Sequence, residues 1–180
     1  MKLTPDDTVL ILIDVQTRLF PVMSEKTELL ENLLKIVKGF DILQIPVIAT
    51  QQYTKALGPT LPELAGNIHN FQPIEKRAFS CCGEGSFLDE LKRIKRKQVI
   101  VCGIEAHVCV YQTCCDLLER GYEVILLADT VSSRKQVDKD LALRALEKQN
   151  VQLSGVEMAL FELLKTSKHP KFKEISSIIK

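Results

Sequence analysis

Five consecutive apolar residues, Val9-Leu-Ile-Leu-Ile13, run without a polar interruption and stop at Asp14. A strand that is apolar at every position is covered on both faces, as in a parallel sheet layered by helices. The pattern then changes to helical spacing. Leu29, Leu30, Leu33, Leu34, Val37, Phe40 and Ile42 recur on one face before Pro46 opens a second short run, Val47-Ile-Ala-Thr50. Together these make one β-α-β unit. From Gln51 to Asn70 the chain carries Gly58, Pro59, Pro62 and Gly66 among polar residues, the mark of a long functional loop with room for one short helix.

Further on, the pattern predicts a brief strand near Gln72 to Glu75, a helix around Gly85 to Ile94, and a buried strand from Gln98 to Cys102 that Gly103 ends. A helix from about Ala106 stops at Gly121, a residue suited to a C-cap. Strand Glu123 to Ala128, helix Gln136 to Lys148, strand Val151 to Ser154 and a last helix from near Val156 complete the chain. Strands alternating with helices predict an α/β fold: one domain over residues 1–180, three-layer α/β/α, with a doubly wound, mostly parallel, six-stranded Rossmann-like sheet.

Charge narrows the function. Among 180 residues, 24 Lys plus Arg face 23 Asp plus Glu, a formal net charge of +1. Such balance supplies no field to collect nucleic acid or an anionic membrane, so neither is an expected partner. The one dense basic run, Lys92 to Lys97, falls at a helix end, where cations complement the dipole. No apolar stretch approaches the roughly 20 residues that span a bilayer. The N-terminal residues lack a signal core, so a cytoplasmic location is expected. The six cysteines sit in apolar segments or side by side (Cys81, Cys82), which fits reduced thiols. No Cys-x-x-Cys pair occurs, and His69, His107 and His169 are scattered, so neither a metal nor a cofactor is implied.

In open parallel sheets, ligands bind beyond the carboxyl ends of the strands. Three residues stand there: Asp14 after the first strand, Lys76 after the third, and Cys109 in Gly103-Ile-Glu-Ala-His-Val-Cys-Val110. A thiol near a helix N-terminus is expected to fall below its ordinary pKa of about 8.5. Free N–H groups at the same place can stabilise an oxyanion. Asp14 can serve as a base toward the thiol, and Lys76 can hold Asp14 ionised. A dinucleotide module is disfavoured because Asp14-Val-Gln-Thr-Arg18 replaces the glycine-rich turn that such a site requires.

At these residues the chain resembles the isochorismatase-like cysteine hydrolases, which include nicotinamidases and carbamoylsarcosine amidases. The likeness is carried by Ile11-Leu-Ile-Asp14-Val-Gln16, Pro46-Val-Ile-Ala-Thr50-Gln-Gln-Tyr53 with Leu57-Gly58-Pro59-Thr60, Lys76-Arg-Ala-Phe79-Ser80, and Gly103 through Thr113. Leu57 to Thr60, Ser132-Ser133-Arg134 and the tail from His169 to Ile175 look like the isochorismatase-domain-containing branch. The resemblance implies a catalytic triad of Asp14, Lys76 and Cys109. It also implies a cis peptide at Ile104-Glu105 and an oxyanion hole from the N–H groups of Glu105 and Cys109.

The implied reaction is hydrolysis of a small amide-type substrate through a Cys109 thioester, with Asp14 moving the proton. The alternative is a catalytically silent scaffold of the same fold. Phe20, Gln51, Tyr53, Phe79 and His107, on loops beyond the strand ends, are the candidate substrate-binding residues. The nicotinamidase metal site needs Asp and His in the loop after strand two. Gln51 to Pro62 has neither, so a metal-free pocket is expected. Isochorismatases proper commonly lack the nucleophilic cysteine, so Cys109 points to acyl chemistry. Cys81 and Cys82 read as a tight turn, with a redox pair as the lesser reading, and Cys102, Cys114 and Cys115 as core. A homo-oligomer, dimer or tetramer, is implied by the resemblance.

Overall fold

The computed structural model describes residues 2–180. Six strands form one sheet: β1 (Thr8–Ile13), β2 (Val47–Gln52), β3 (Ile74–Lys76), β4 (Gln98–Ile104), β5 (Glu123–Ser132) and β6 (Gln152–Ser154). Their order is β3-β2-β1-β4-β5-β6, and every neighbouring pair is parallel. The sheet is therefore wholly parallel where a mostly parallel one was expected.

The alternation of β1 explains the three layers. Leu10 and Leu12 point to one face, where they pack with residues of α1 (Lys26–Ile42), such as Leu33 and Phe40. Ala159 and Leu160 of α7 (Val156–Leu164) and Ile175 of α8 (Phe172–Ile179) complete that core. Val9, Ile11 and Ile13 point to the other face and meet Phe87 and Leu91 of α4 (Gly85–Ile94). Cys114 and Leu117 of α5 (Tyr111–Glu119) and Ala142 and Leu146 of α6 (Gln136–Lys148) close that second core. Right-handed crossovers put helices on both faces of a parallel sheet, so a strand buried on both sides must be apolar throughout.

Several boundaries moved from the sequence expectation. The loop after β2 holds two short helices, α2 (Thr54–Leu57) and α3 (Pro62–Ala65), where room for one was expected. β3 is shifted so that Lys76 ends the strand. β5 runs on to Ser132, with its register to β4 shifted between Val101 and Gly103. The last helical region is two helices, divided where Lys165 turns to φ +63. Among the described residues no helix is long and apolar enough to cross a membrane.

Chain order reverses between β1 and β4, and in such sheets the crevice lies beyond the strand ends at that point. Gly103 makes the approach possible. Its φ is +120, and a Cβ there would overlap the Ile13 carbonyl oxygen. Only glycine lets β4 pass so close to the end of β1 in that conformation.

Candidate active site

Asp14 leaves the central strand with φ +52 and is fully buried. Asp tolerates this left-handed backbone better than most residues, at a cost of about 1 kcal/mol. The turn aims the carboxylate across the carboxyl edge of the sheet. Lys76 comes from β3, two strands away, and neighbouring strands lie about 4.8 Å apart. A side chain as long as lysine can span that gap. Its Nζ stops 2.7 Å from Asp14 Oδ2, and neither side chain has any solvent exposure.

The ammonium is well provided with acceptors. Nζ also donates to Gln52 Oε1 at 2.6 Å, to Phe79 O at 2.9 Å and to Ala78 O at 3.2 Å. Gln52 is fixed in turn by Gln16, whose Oε1 accepts the Gln52 N–H at 2.8 Å while its Nε2 donates to Gln52 O at 3.0 Å. Burial works against the charged lysine, but the Asp14 carboxylate, with Cys109 and Cys81 beyond it, raises its pKa above the ordinary value.

Cys109 lies on a single π-helical turn, Ala106–Val110, which follows β4 and leads into α5. Such turns often mark functional sites. The thiol lies within the electrostatic reach of the Asp14 carboxylate, and Cys109 is only 6% exposed. Here the expected lowering of its pKa is overturned. Burial pushes the thiol up to about 12, the Asp14 charge adds to the rise, and Lys76 opposes it. The helix-end field is weaker than desolvation beside a carboxylate. At neutral pH the thiol therefore keeps its proton.

The peptide bond Ile104-Glu105 is cis, as the resemblance implied. The Glu105 carbonyl accepts the Val108 and Val110 N–H groups at 3.1 and 3.2 Å, pinning the turn that carries Cys109. Its carboxylate accepts from Arg134 at both Nε and the backbone N–H, each at 3.1 Å.

The five candidate substrate contacts are differently placed. Phe20 packs into the core beside Val15 and Met23. Gln51 is buried, donating to Thr60 Oγ1 and accepting from Thr54 Oγ1, both at 3.0 Å. Tyr53 lies beneath the Arg77 guanidinium, 3.6 Å from its ring centre. Phe79 is exposed, and its carbonyl holds Lys76. His107 Nδ1 meets Ser133 Oγ at 2.9 Å.

Besides Gln52, two groups next to Asp14 escaped the sequence reading. Thr50 donates from Oγ1 to Asp14 Oδ1 at 2.8 Å, and Cys81 donates from Sγ to that same Thr50 oxygen at 3.8 Å. Cys81 is thus part of the site and not merely a turn residue. The segment carrying it is anchored to α5, with the Cys81 N–H on Thr113 Oγ1 at 3.0 Å and Ser80 Oγ on Asp116 Oδ2 at 2.6 Å. Cys102 and Cys114 are core, as expected, but Cys115 is half-buried and donates to Gln149 at 3.1 Å. Among the described residues no three His, Cys, Asp or Glu side chains group as metal ligands would.

Comparison with known proteins matches the chain to a family. The Isochorismatase domain matches residues 8–158. Isochorismatase domain-containing protein 2 of Danio rerio is 41% identical over 179 residues, covering 99% of this chain and 89% of the relative. Among solved structures, the MAR1 ribonuclease of Caenorhabditis elegans aligns with TM-score 0.94 and 37% identity, over 99% of this chain and 92% of that one. The YcaC gene product of Escherichia coli, an octameric hydrolase of unknown specificity, shares the fold with TM-score 0.90 at 20% identity, over 98% and 95%. A wholly parallel six-stranded sheet with these relatives along its whole length places the chain in the isochorismatase-like hydrolase family.

Proposed function

We propose that the protein is a cysteine hydrolase of small amide-type substrates, working through a Cys109 thioester. The observation that carries this reading is the fully buried Asp14–Lys76 pair beside a nearly buried thiol. As a group, Asp14, Lys76 and the protonated Cys109 hold one negative and one positive charge. Passing the thiol proton to Asp14 leaves that sum unchanged. Loss of the proton to water would create an uncompensated buried charge, which is what the raised thiol pKa reflects. Transfer inside the cluster avoids that cost, so the nucleophile is made only when needed.

In the proposed cycle the sulfur attacks the substrate carbonyl as Asp14 takes its proton. The N–H groups of Glu105 and Cys109 face the developing oxyanion. Asp14 returns the proton to the leaving amine, and the amine departs from the thioester. Asp14 then accepts a proton from the attacking water as the thioester breaks, and Cys109 leaves with a proton restored. Lys76 keeps its charge throughout and steadies the carboxylate. No metal or cofactor enters these steps.

The test is a screen of small amides, carbamoyl compounds and nicotinamide for ammonia release, with intact mass reporting any acyl adduct. A hit whose turnover and adduct both vanish in Cys109→Ala is the expected result. Turnover retained in that variant contradicts the reading. RNA belongs in the same screen because one relative is a ribonuclease. The balanced charge and the absence of an aromatic-basic strip argue for small substrates. We also propose assembly into a homo-oligomer, in keeping with the octamer formed by the Escherichia coli relative. Light scattering on the purified protein decides that point.

One observation favours the scaffold reading. Cys109 is closed, at 6% exposure, and protonated at rest. If no compound acylates Cys109 and iodoacetamide modifies it no faster than the core residue Cys102, the scaffold reading stands.

A further inference from the structure

Thr50 grips Asp14 twice. Its carbonyl accepts the Asp14 N–H at 3.3 Å, and its hydroxyl donates to Asp14 Oδ1 at 2.8 Å. The hydroxyl has one proton, and that proton is committed to the carboxylate. Its oxygen accepts from Cys81 Sγ at 3.8 Å. Both residues are buried, at 1% and 0% exposure, so water does not compete for these bonds. The parallel register sets Thr50 opposite Ile13, one residue before Asp14, which makes the contact a property of the sheet.

From this geometry we infer that Thr50 is a positioning residue, with Cys81 as its outer donor, and that it holds Asp14 with Oδ1 occupied and Oδ2 turned toward Lys76. The inference rests on the reading of Asp14 as base toward Cys109. A carboxylate free to rotate would present its oxygens to the thiol indiscriminately. Held by Thr50 and Lys76, it meets the thiol in one orientation. A protonated thiol at Cys81 suits the role of donor, and burial, reinforced by Asp14, keeps it protonated, with its pKa pushed up to about 12. The ionisable groups facing Asp14 are Lys76 from β3, Cys109 from the π turn, and Cys81 from the turn after β3.

The test is the rate of Cys109 alkylation by iodoacetamide at pH 7, followed by peptide mass, in the whole protein. Thr50→Val keeps the shape and removes the donor, and the rate is expected to fall about tenfold, the effect of one hydrogen bond to a charged group. Thr50→Ser, which keeps the hydroxyl, restores the wild-type rate. Cys81→Ala, a milder change that leaves Thr50 in place, lowers the rate by less. A wild-type rate in both Thr50→Val and Cys81→Ala overturns the assignment while leaving Cys109 as nucleophile. Wild-type Cys109 reacting no faster than Cys102 overturns the assignment together with the reading beneath it.

Discussion

Two ion pairs flank the turn that carries Cys109, and they differ in almost every physical respect. Asp14 and Lys76 meet at 2.7 Å with no exposure on either side chain. Glu105 and Arg134 meet at 3.1 Å, with the arginine side chain 61% exposed. Water screens the second pair, so its Coulombic worth is small, and its work is to clasp the Glu105 segment to the loop after β5. The first pair has lost its water and is held by Gln52, Thr50 and two backbone carbonyls. Buried charges this well partnered are expensive to assemble, and they persist where proton movement is needed.

Removing one member of each pair sharpens the contrast. Lys76→Met leaves the buried Asp14 carboxylate without its counter-charge and is expected to cost about 3 to 5 kcal/mol in urea unfolding. Adding Asp14→Asn to that variant removes the stranded charge. The double variant is expected to be more stable than the sum of the single losses predicts. Additive losses would mean that the two side chains act independently.

Alkaline pH probes the same buried cluster with no mutation. In the fold, Lys76 lies above its ordinary pKa, and burial holds Cys109 and Cys81 near 12, well above an ordinary thiol. The folded protein thus keeps protons that the unfolded chain releases sooner. The stability this provides is complete below about pH 9 and is lost as the pH climbs toward 12. Urea midpoints are expected to fall steadily above pH 9, with a shallower fall in Cys109→Ala. Equal slopes would show that the Cys109 thiol is not held protonated by the fold.

The smallest effect belongs to the exposed pair. Arg134→Ala is expected to change stability by about 1 kcal/mol or less. A loss as large as that of Lys76→Met would erase the distinction between the two pairs.

The contrast also separates what was legible in the residues from what was not. The unbroken apolar run of β1 announced a strand buried on both faces, and Asp14, at its end, stood at the functional edge. The motifs around Lys76 and Cys109 marked the two residues whose side chains the fold brings to Asp14. β3 was harder to bound, because three residues carry no periodicity and its end is set by pairing to Thr50–Gln52. Thr50 and Gln52 stand in the Pro46 to Tyr53 motif, but nothing in it assigned them a place beside Asp14 and Lys76, and Cys81 has no local signature. Register and the anchoring of Ser80 and Cys81 to α5 bring them to the site, and both are tertiary facts. The state of the thiol was misjudged for a related reason. A helix N-terminus is visible in a sequence, whereas the depth of burial beside a carboxylate is not.

In the proposed cycle Asp14 draws the proton from a resting Cys109 thiol inside a cluster of constant charge. Its most direct test is the alkylation rate of Cys109 at pH 7 in wild-type protein and in Asp14→Asn, both verified as folded. Wild-type Cys109 is expected to outpace Cys102, and the substitution to bring it down to the rate of that core thiol. An unchanged rate in Asp14→Asn would contradict the cycle.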